Sequence, residues 1–226
     1  MSKIELKNVN YFIDDCGKKR ILLDNINYTF KENELTVISG PSGSGKTTLL
    51  YAIAGLLENV EGDIMIDTFN ILKEKSKSRD LYRLENISMI FQNLNLFSFM
   101  NVQDNILVPF YLKNKKISHK EINKLNKLLD MMKLTGINKK LIPSLSGGEQ
   151  QRVAIIRALI DNPKFVLCDE PTASLDEENV KMFMDCLQHL RNEIKSTFII
   201  VTHDERVIKY ADTHVVINDG KLSYGN

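Results

Sequence analysis

Scarcity narrows the field first. The 226 residues hold three cysteines, Cys16, Cys168 and Cys186, an odd number with no CxxC pair and no Cys/His ligand spacing. That excludes a disulfide framework and gives no sign of a zinc site, and a reducing compartment fits. Thirty basic residues stand against 29 acidic ones, so no global field draws in nucleic acid or an anionic membrane. No stretch approaches the roughly 18 to 20 consecutive apolar residues that span a bilayer. The opening MSKIELKNVNYFI also lacks the apolar core of a signal peptide. The expectation is a chain that binds no nucleic acid and crosses no membrane by itself. Internal repeats, low-complexity segments and obvious linkers are missing too.

What is present is a globular composition, 43% hydrophobic and 26% charged, and enough length for one large domain or a core with an inserted lobe. The first third reads as strands, KIELKNV and ILLDNINYTF, then ELTVIS at 34–39, an apolar run that feeds directly into a glycine loop. KTTLLYAIAGLL has helical spacing and stops near Gly55, and GDIMIDTFNIL resumes strand character. From about Leu94 to Ile160 strand signal fades. There SHKEINKLNKLLDMMKL places Ile122, Leu125, Leu128, Leu129 and Met132 on one helical face behind a Ser118/Glu121 capping box. The last third returns to strands with KFVLCDE, TFIIVTHD and THVVINDGKLSY, where Asp219-Gly220 marks a hairpin. The pattern predicts an α/β core interrupted by a mostly helical lobe. Lysines 113, 115, 116, 120, 124 and 127 form a stripe, read as a solvated helix face rather than a lipid or nucleic-acid contact.

Four places carry chemistry. Gly40, Pro41, Ser42, Gly43, Ser44, Gly45, Lys46, Thr47 and Thr48 spell GPSGSGKTT, a full match to G-x-x-x-x-G-K-[ST] between an apolar strand and a helix. Glycines let backbone N–H groups curl around phosphates, the helix start adds a positive dipole end, Lys46 reaches the terminal phosphates and Thr47 suits Mg²⁺. FVLCDE ends in Asp169 and Glu170; Asp169 suits a metal contact, and Glu170 could polarise an attacking water. Gln92 follows ISMIF and His203 follows TFIIV, so both fall at carboxyl ends of strands, the edge where open α/β sheets bind ligands. Histidines 119, 189 and 214 have no such placement, and Cys168 reads as a small core residue. The stretch LSGGEQQRVAIIRAL at 145–159 looks like a second phosphate loop opening into a helix, an unexplained duplicate.

With the glycine loop, Gln92, LSGGEQ, CDEPTASLD and THD in this order, the chain resembles the ATP-binding cassette ATPases of transporters over nearly its full length. The resemblance implies a P-loop NTPase (RecA-like) α/β core with an antiparallel β region and an inserted helical subdomain. All of 1–226 would form one ATPase domain, with a catalytic lobe at 1–92 and 161–226 and a helical subdomain at 93–160. It implies ATP and Mg²⁺ as ligands and ATP hydrolysis as the activity. Thr47, Gln92 and Asp169 would hold the metal, Glu170 would be the catalytic base, and His203 would contact the γ-phosphate. Ser174 to Asp176 would form the loop that follows. In this family two cassettes pack head to tail, so Ser146, Gly147, Gly148 and Glu149 of one chain would cover the nucleotide gripped by the other chain's Lys46, which accounts for the duplicate. The family stacks adenine on an aromatic residue after the first strand; ungapped spacing puts that place on Ile13, with Tyr11 and Phe12 beside it, and Tyr11 is assigned to the base.

The compact length, FQNLNLFSFMNVQDNILVP and the absence of a carboxyl-terminal extension look most like the lipoprotein-release, macrolide-efflux and antimicrobial-peptide-resistance group. Such a subunit docks beneath an integral membrane permease on the cytoplasmic face of the cell membrane. The apolar cluster Leu94, Leu96, Phe97, Phe99 and Met100 reads either as core of the helical lobe or as a groove for a permease helix. The same motifs also suit an ATPase that drives a transmembrane signalling or cell-division complex and moves no substrate. A DNA-repair or translation cassette usually carries a long coiled-coil insertion or a second cassette, and this sequence has neither.

Overall fold

A computed structural model describes residues 3–15, 17–173 and 175–225. Cys16 and Ser174 therefore lie outside the described residues.

Three central strands explain the architecture. β3 (Leu35–Ser39), β7 (Phe165–Asp169) and β8 (Thr197–Val201) are apolar runs buried almost throughout, the pattern of parallel strands covered on both faces. Successive side chains part to opposite sides. Phe165, Leu167, Ile199 and Val201 join one core cluster, whereas Val166, Cys168, Phe198 and Ile200 join the other. These strands lie in a six-stranded sheet of order β10-β9-β3-β8-β7-β6, completed by β6 (Ile87–Ile90), β9 (Thr213–Asn218) and β10 (Lys221–Tyr224). β9 and β10 pair antiparallel through Asp219 and Gly220, both at positive φ (46° and 74°), as the two-residue turn requires.

The amino-terminal strands form a separate antiparallel sheet of order β2-β1-β4-β5, built from β1 (Ile4–Asp15), β2 (Lys18–Phe30), β4 (Glu61–Ile66) and β5 (Phe69–Asn70). The cluster containing Ile4, Leu23, Phe30 and Ile64 packs it against α1 (Lys46–Ile53) and one face of the large sheet.

The second cluster joins the other face to the helices α3 (Val102–Leu112), α4 (His119–Met131), α5 (Gly147–Leu159) and α6 (Glu177–Ile194). In α4, Leu125, Leu128 and Leu129 are buried, Met132 at its carboxyl end is buried as well, and the Ser118/Glu121 capping box is formed. Among the described residues no helix is long and apolar enough to cross a membrane.

The lysine stripe is mostly solvated, with Lys115, Lys116, Lys120 and Lys127 exposed and Lys113 and Lys124 partly buried. Lys113 and Lys115 pair with Asp161, Lys127 pairs with Glu193, and Lys124 donates to the carbonyl of Ile160 at the end of α5. The Lys124 ammonium is pushed down to about 8, chiefly by its burial.

Candidate active site

The strand order brings the predicted residues to one edge. β3 lies between β8 and β9, and β7 lies between β8 and β6. Ile38 is level with Val201, Asp169 with Val201, and Ile90 with Cys168. The glycine loop, the Asp169-Glu170 pair, Thr202-His203 and Gln92 therefore leave the same carboxyl edge of the sheet.

The loop from Gly40 to Gly45 is shaped by backbone needs. Gly40, Gly43 and Gly45 have φ of 150°, 76° and 104°, in the left-handed half of the map open mainly to glycine. A Cβ on Gly40 would come within 2.1 Å of the Ile217 carbonyl oxygen, and one on Gly45 within 2.5 Å of that of Leu22. Gly45 begins α1 with no side-chain cap and no acidic residue in the first turn, so the helix presents unfilled N–H groups and a positive dipole end. Lys46 is only 8% exposed, and its Nζ donates to the carbonyls of Gly40 and Pro41 at 2.8 and 2.9 Å. Ser44 Oγ is buried and has no hydrogen-bond partner among the described residues. A sheltered ammonium, an orphaned hydroxyl and an uncapped helix start together make a cradle for a polyphosphate.

Thr47 Oγ1 donates to Asp169 Oδ1 at 2.9 Å. Tyr51, one helical turn further, lies beside the same carboxylate and meets the edge of Phe91 at 6.2 Å between ring centres. Burial pushes the Asp169 carboxyl above the ordinary range, and the neighbouring charge of Glu170 adds to this against the opposing pull of Thr47, Tyr51 and Lys46. A carboxylate desolvated in this way, beside a hydroxyl, is suited to a divalent cation, which would restore its charged form. Gln92 follows β6 on an exposed bend and lines a cavity with Ile142, Pro143, Gly147 and Gln150.

Glu170 has φ of +47°, a strained conformation for a residue with a side chain, held by its N–H donating to the Val201 carbonyl at 2.9 Å. Its Oε1 lies 2.9 Å from His203 Nδ1. Its Oε2 accepts from Thr202 Oγ1 at 2.9 Å. Thr202 was not singled out by sequence reasoning, because a buried hydroxyl at a strand end leaves no periodic signal.

Ser146 caps α5: its hydroxyl accepts from the Glu149 N–H at 3.3 Å while the Glu149 carboxylate accepts from the Ser146 N–H at 2.7 Å. The S-x-x-E spacing of LSGGEQ is therefore a capping box, and these bonds hold the Glu149 carboxyl below its usual range. Asp176 likewise caps α6 by accepting from the Asn179 N–H at 2.9 Å. Tyr11 is partly buried against the antiparallel-sheet core, and the neighbouring Phe12 ring is covered by Lys19 Nζ at 3.6 Å.

The apolar cluster after Gln92 divides. Leu96 packs on the core, whereas Phe97 and Phe99 are 40% and 74% exposed. Arg157 of α5 holds the start of this loop, donating to the carbonyls of Leu94 and Asn95, both at 2.6 Å. Phe97 then borders an apolar groove of about 520 Å³ with Leu56, Leu84, Met89, Val108 and Leu112.

Comparison with known proteins identifies the family. The family model described as ABC transporter matches residues 23–173. The chain is 39% identical to the spermidine/putrescine import ATP-binding protein PotA of Thermotoga maritima over 223 residues, covering 97% of this chain and 57% of that protein. It is 38% identical to the lipoprotein-releasing system ATP-binding protein LolD of Wigglesworthia glossinidia brevipalpis, covering 98% of this chain and 96% of LolD. Among solved structures, the dimeric bacterial ABC transporter cassette MJ0796 superposes with a TM-score of 0.90 at 33% identity, over 97% of this chain and 96% of that one. A post-hydrolysis dimer of MJ0796 bound to ADP and Pi gives 0.89 at 32% identity, over 98% of each chain. The chain belongs to the ATP-binding cassette family, as an ABC transporter ATPase domain with a P-loop NTPase core.

Proposed function

We infer that the chain binds and hydrolyses ATP as a head-to-tail dimer and so energises a membrane permease. The observation that carries this reading is the glycine pair at the start of α5. Glycine costs a helix about 0.5 to 1 kcal/mol relative to alanine. Yet neither Gly147 nor Gly148 has a left-handed φ, and a Cβ on Gly147 would meet nothing within 4 Å. Nothing within the chain calls for glycine there. A phosphate brought by a second copy does, because it must approach the helix amides closely.

In that dimer the loop from Gly40 to Thr48 grips the phosphates, and Ser146, Gly147 and Gly148 of the partner cover them, with Glu149 and Asp176 close by. Thr47, Asp169 and Gln92 would hold Mg²⁺, which when bound neutralises phosphate charge. Glu170 accepts the proton of the attacking water, His203 turns to the terminal phosphate, and Tyr11 lies toward the base. We divide the domain into a catalytic lobe, 1–92 and 161–226, and a helical lobe, 93–160.

The expected consequence at Gly147 is unusual in sign. Gly147→Ala should stabilise the isolated chain by up to about 1 kcal/mol while weakening ATP-induced dimerisation. Thermal melting, and size-exclusion chromatography with ATP in a hydrolysis-deficient background, measure the two effects. Undiminished dimerisation would sink the shared-site reading of this residue.

The groove beside Phe97 is the proposed seat of a permease helix. Its charged neighbours are already engaged, Arg157 with carbonyls and Lys113 with Asp161, which leaves apolar walls for an apolar helix face. Phe97→Asp and Leu112→Asp should spare ATPase activity in the isolated subunit and abolish copurification of the permease. Equal loss of folding and ATPase would instead make the cluster part of the lobe's core. The 38% identity to LolD supports the lipoprotein-release group, and we place the chain on the cytoplasmic face of the membrane.

A further inference from the structure

The two oxygens of the Glu170 carboxylate are held by groups of very different exposure. Oε1 faces His203 Nδ1, and that side chain is 72% exposed. Oε2 accepts from Thr202 Oγ1 at 2.9 Å and, at 3.3 Å, from the backbone N–H of His203. Thr202 is completely buried at the end of β8.

The Thr202 hydroxyl is also oriented from behind. It accepts the Asp204 N–H at 3.0 Å, so its single proton is directed to Glu170. Asp204 is itself fixed, its carboxylate accepting from Thr172 Oγ1 at 2.8 Å and from the Arg206 guanidinium. Thr172 thus fixes the Asp204 carboxylate, the Asp204 backbone N–H orients the buried Thr202 hydroxyl, and that hydroxyl holds one oxygen of Glu170. The other oxygen is held only by the exposed His203 ring.

We propose that Thr202 is a positioning residue that pins Oε2 and so makes Oε1 the oxygen that takes the water proton once His203 turns away. The inference rests on Glu170 as the base. Without the hydroxyl, the carboxylate can rotate about its terminal bond, and its side chain must be held at an unfavourable backbone φ by fewer contacts.

The test compares Thr202→Val, which deletes the hydroxyl at nearly constant shape, with Thr202→Ser, which retains it. Thr202→Val should lower kcat roughly 10- to 100-fold, the usual cost of a misplaced catalytic group, with KM for ATP changed less than about twofold. Thr202→Ser should stay within about threefold of wild type. In a Glu170→Gln background, adding Thr202→Val should leave the residual rate unchanged, because the base that Thr202 orients is already absent. If Thr202→Val does not fold, Thr202→Ala against Thr202→Ser reads the same difference. A kcat loss shared equally by the Ser variant, or a further drop in the Glu170→Gln background, overturns the positioning role. Wild-type turnover in Glu170→Gln alone overturns the base assignment instead, whatever Thr202 does.

Discussion

Glu170→Gln should leave ATP binding intact and slow hydrolysis roughly 10² to 10⁴ fold, the usual worth of a positioned general base. The glutamine keeps the side chain's size, and its amide oxygen can still accept from Thr202, but it cannot take a proton from water. The phosphate loop and Lys46 lie on different elements from Glu170, so the substrate's grip is unaffected. The ATP trapped in this way should hold two chains together. Steady-state hydrolysis gives the rate, and size-exclusion chromatography with and without ATP gives the assembly. Strictly monomeric elution at high protein concentration would count against a head-to-tail dimer.

Lys46→Ala and Ser146→Arg should both end hydrolysis, for separable reasons. Lys46 Nζ is the buried cation of the loop, bonded to the Gly40 and Pro41 carbonyls at 2.8 and 2.9 Å. Removing it takes away a charge-assisted hydrogen bond to phosphate, worth roughly 1.5 to 3 kcal/mol, so affinity should fall about 10- to 100-fold. Ser146→Arg loses a helix cap, at roughly 1 kcal/mol, and fills the space above α5. Its own phosphate loop is untouched. Equilibrium binding of ATP to the isolated chains should therefore be near normal for Ser146→Arg and weak for Lys46→Ala. Equal loss of binding in both would mean that the two loops serve a nucleotide held within one chain.

The central sheet was legible because its strands obey one simple rule. β3, β7 and β8 are buried on both faces and read as unbroken apolar runs, and the residues following them are fixed by the ends of those runs. The capping boxes at Ser118 and Ser146 and the turn at Asp219-Gly220 are local chemistry, visible in four residues or fewer. Two helices were not legible. The segment α2 (Ser76–Asn86) has no buried residue and only Leu81, Tyr82 and Leu84 as apolar side chains; it is placed by Tyr82 stacking on Phe69 at 4.0 Å and by Arg83 donating to the carbonyls of Ala54 and Gly55. Its stability is tertiary. In α3 the pattern is broken by Pro109 and by Asn105, a fully buried polar residue whose side chain bonds the backbone of Phe97, Met100 and Asn101.

At the site, Lys46, Asp169, Glu170 and His203 carried recognisable motifs, whereas Thr202 acts through one hydrogen bond to Glu170 and Tyr51 through its place beside Asp169. Tyr51 reads from sequence as an ordinary helix position. Only the fold reveals that it and Thr47, four residues apart on one helix face, both reach Asp169.

The most direct test of the account mixes the two inactive variants. In a mixed dimer, one composite site joins the damaged phosphate loop of Lys46→Ala to the blocked covering loop of Ser146→Arg, and the other joins an intact Lys46 loop to an intact Ser146 loop. Each homodimer carries a lesion in both sites. With equal amounts and random exchange, about half the dimers are mixed, so hydrolysis should appear only on mixing, and ATP-dependent cross-linking should capture the heterodimer. If both variants fold, yet mixing yields neither activity nor a cross-linked heterodimer, the LSGGEQ loop works within its own chain and the shared site is wrong.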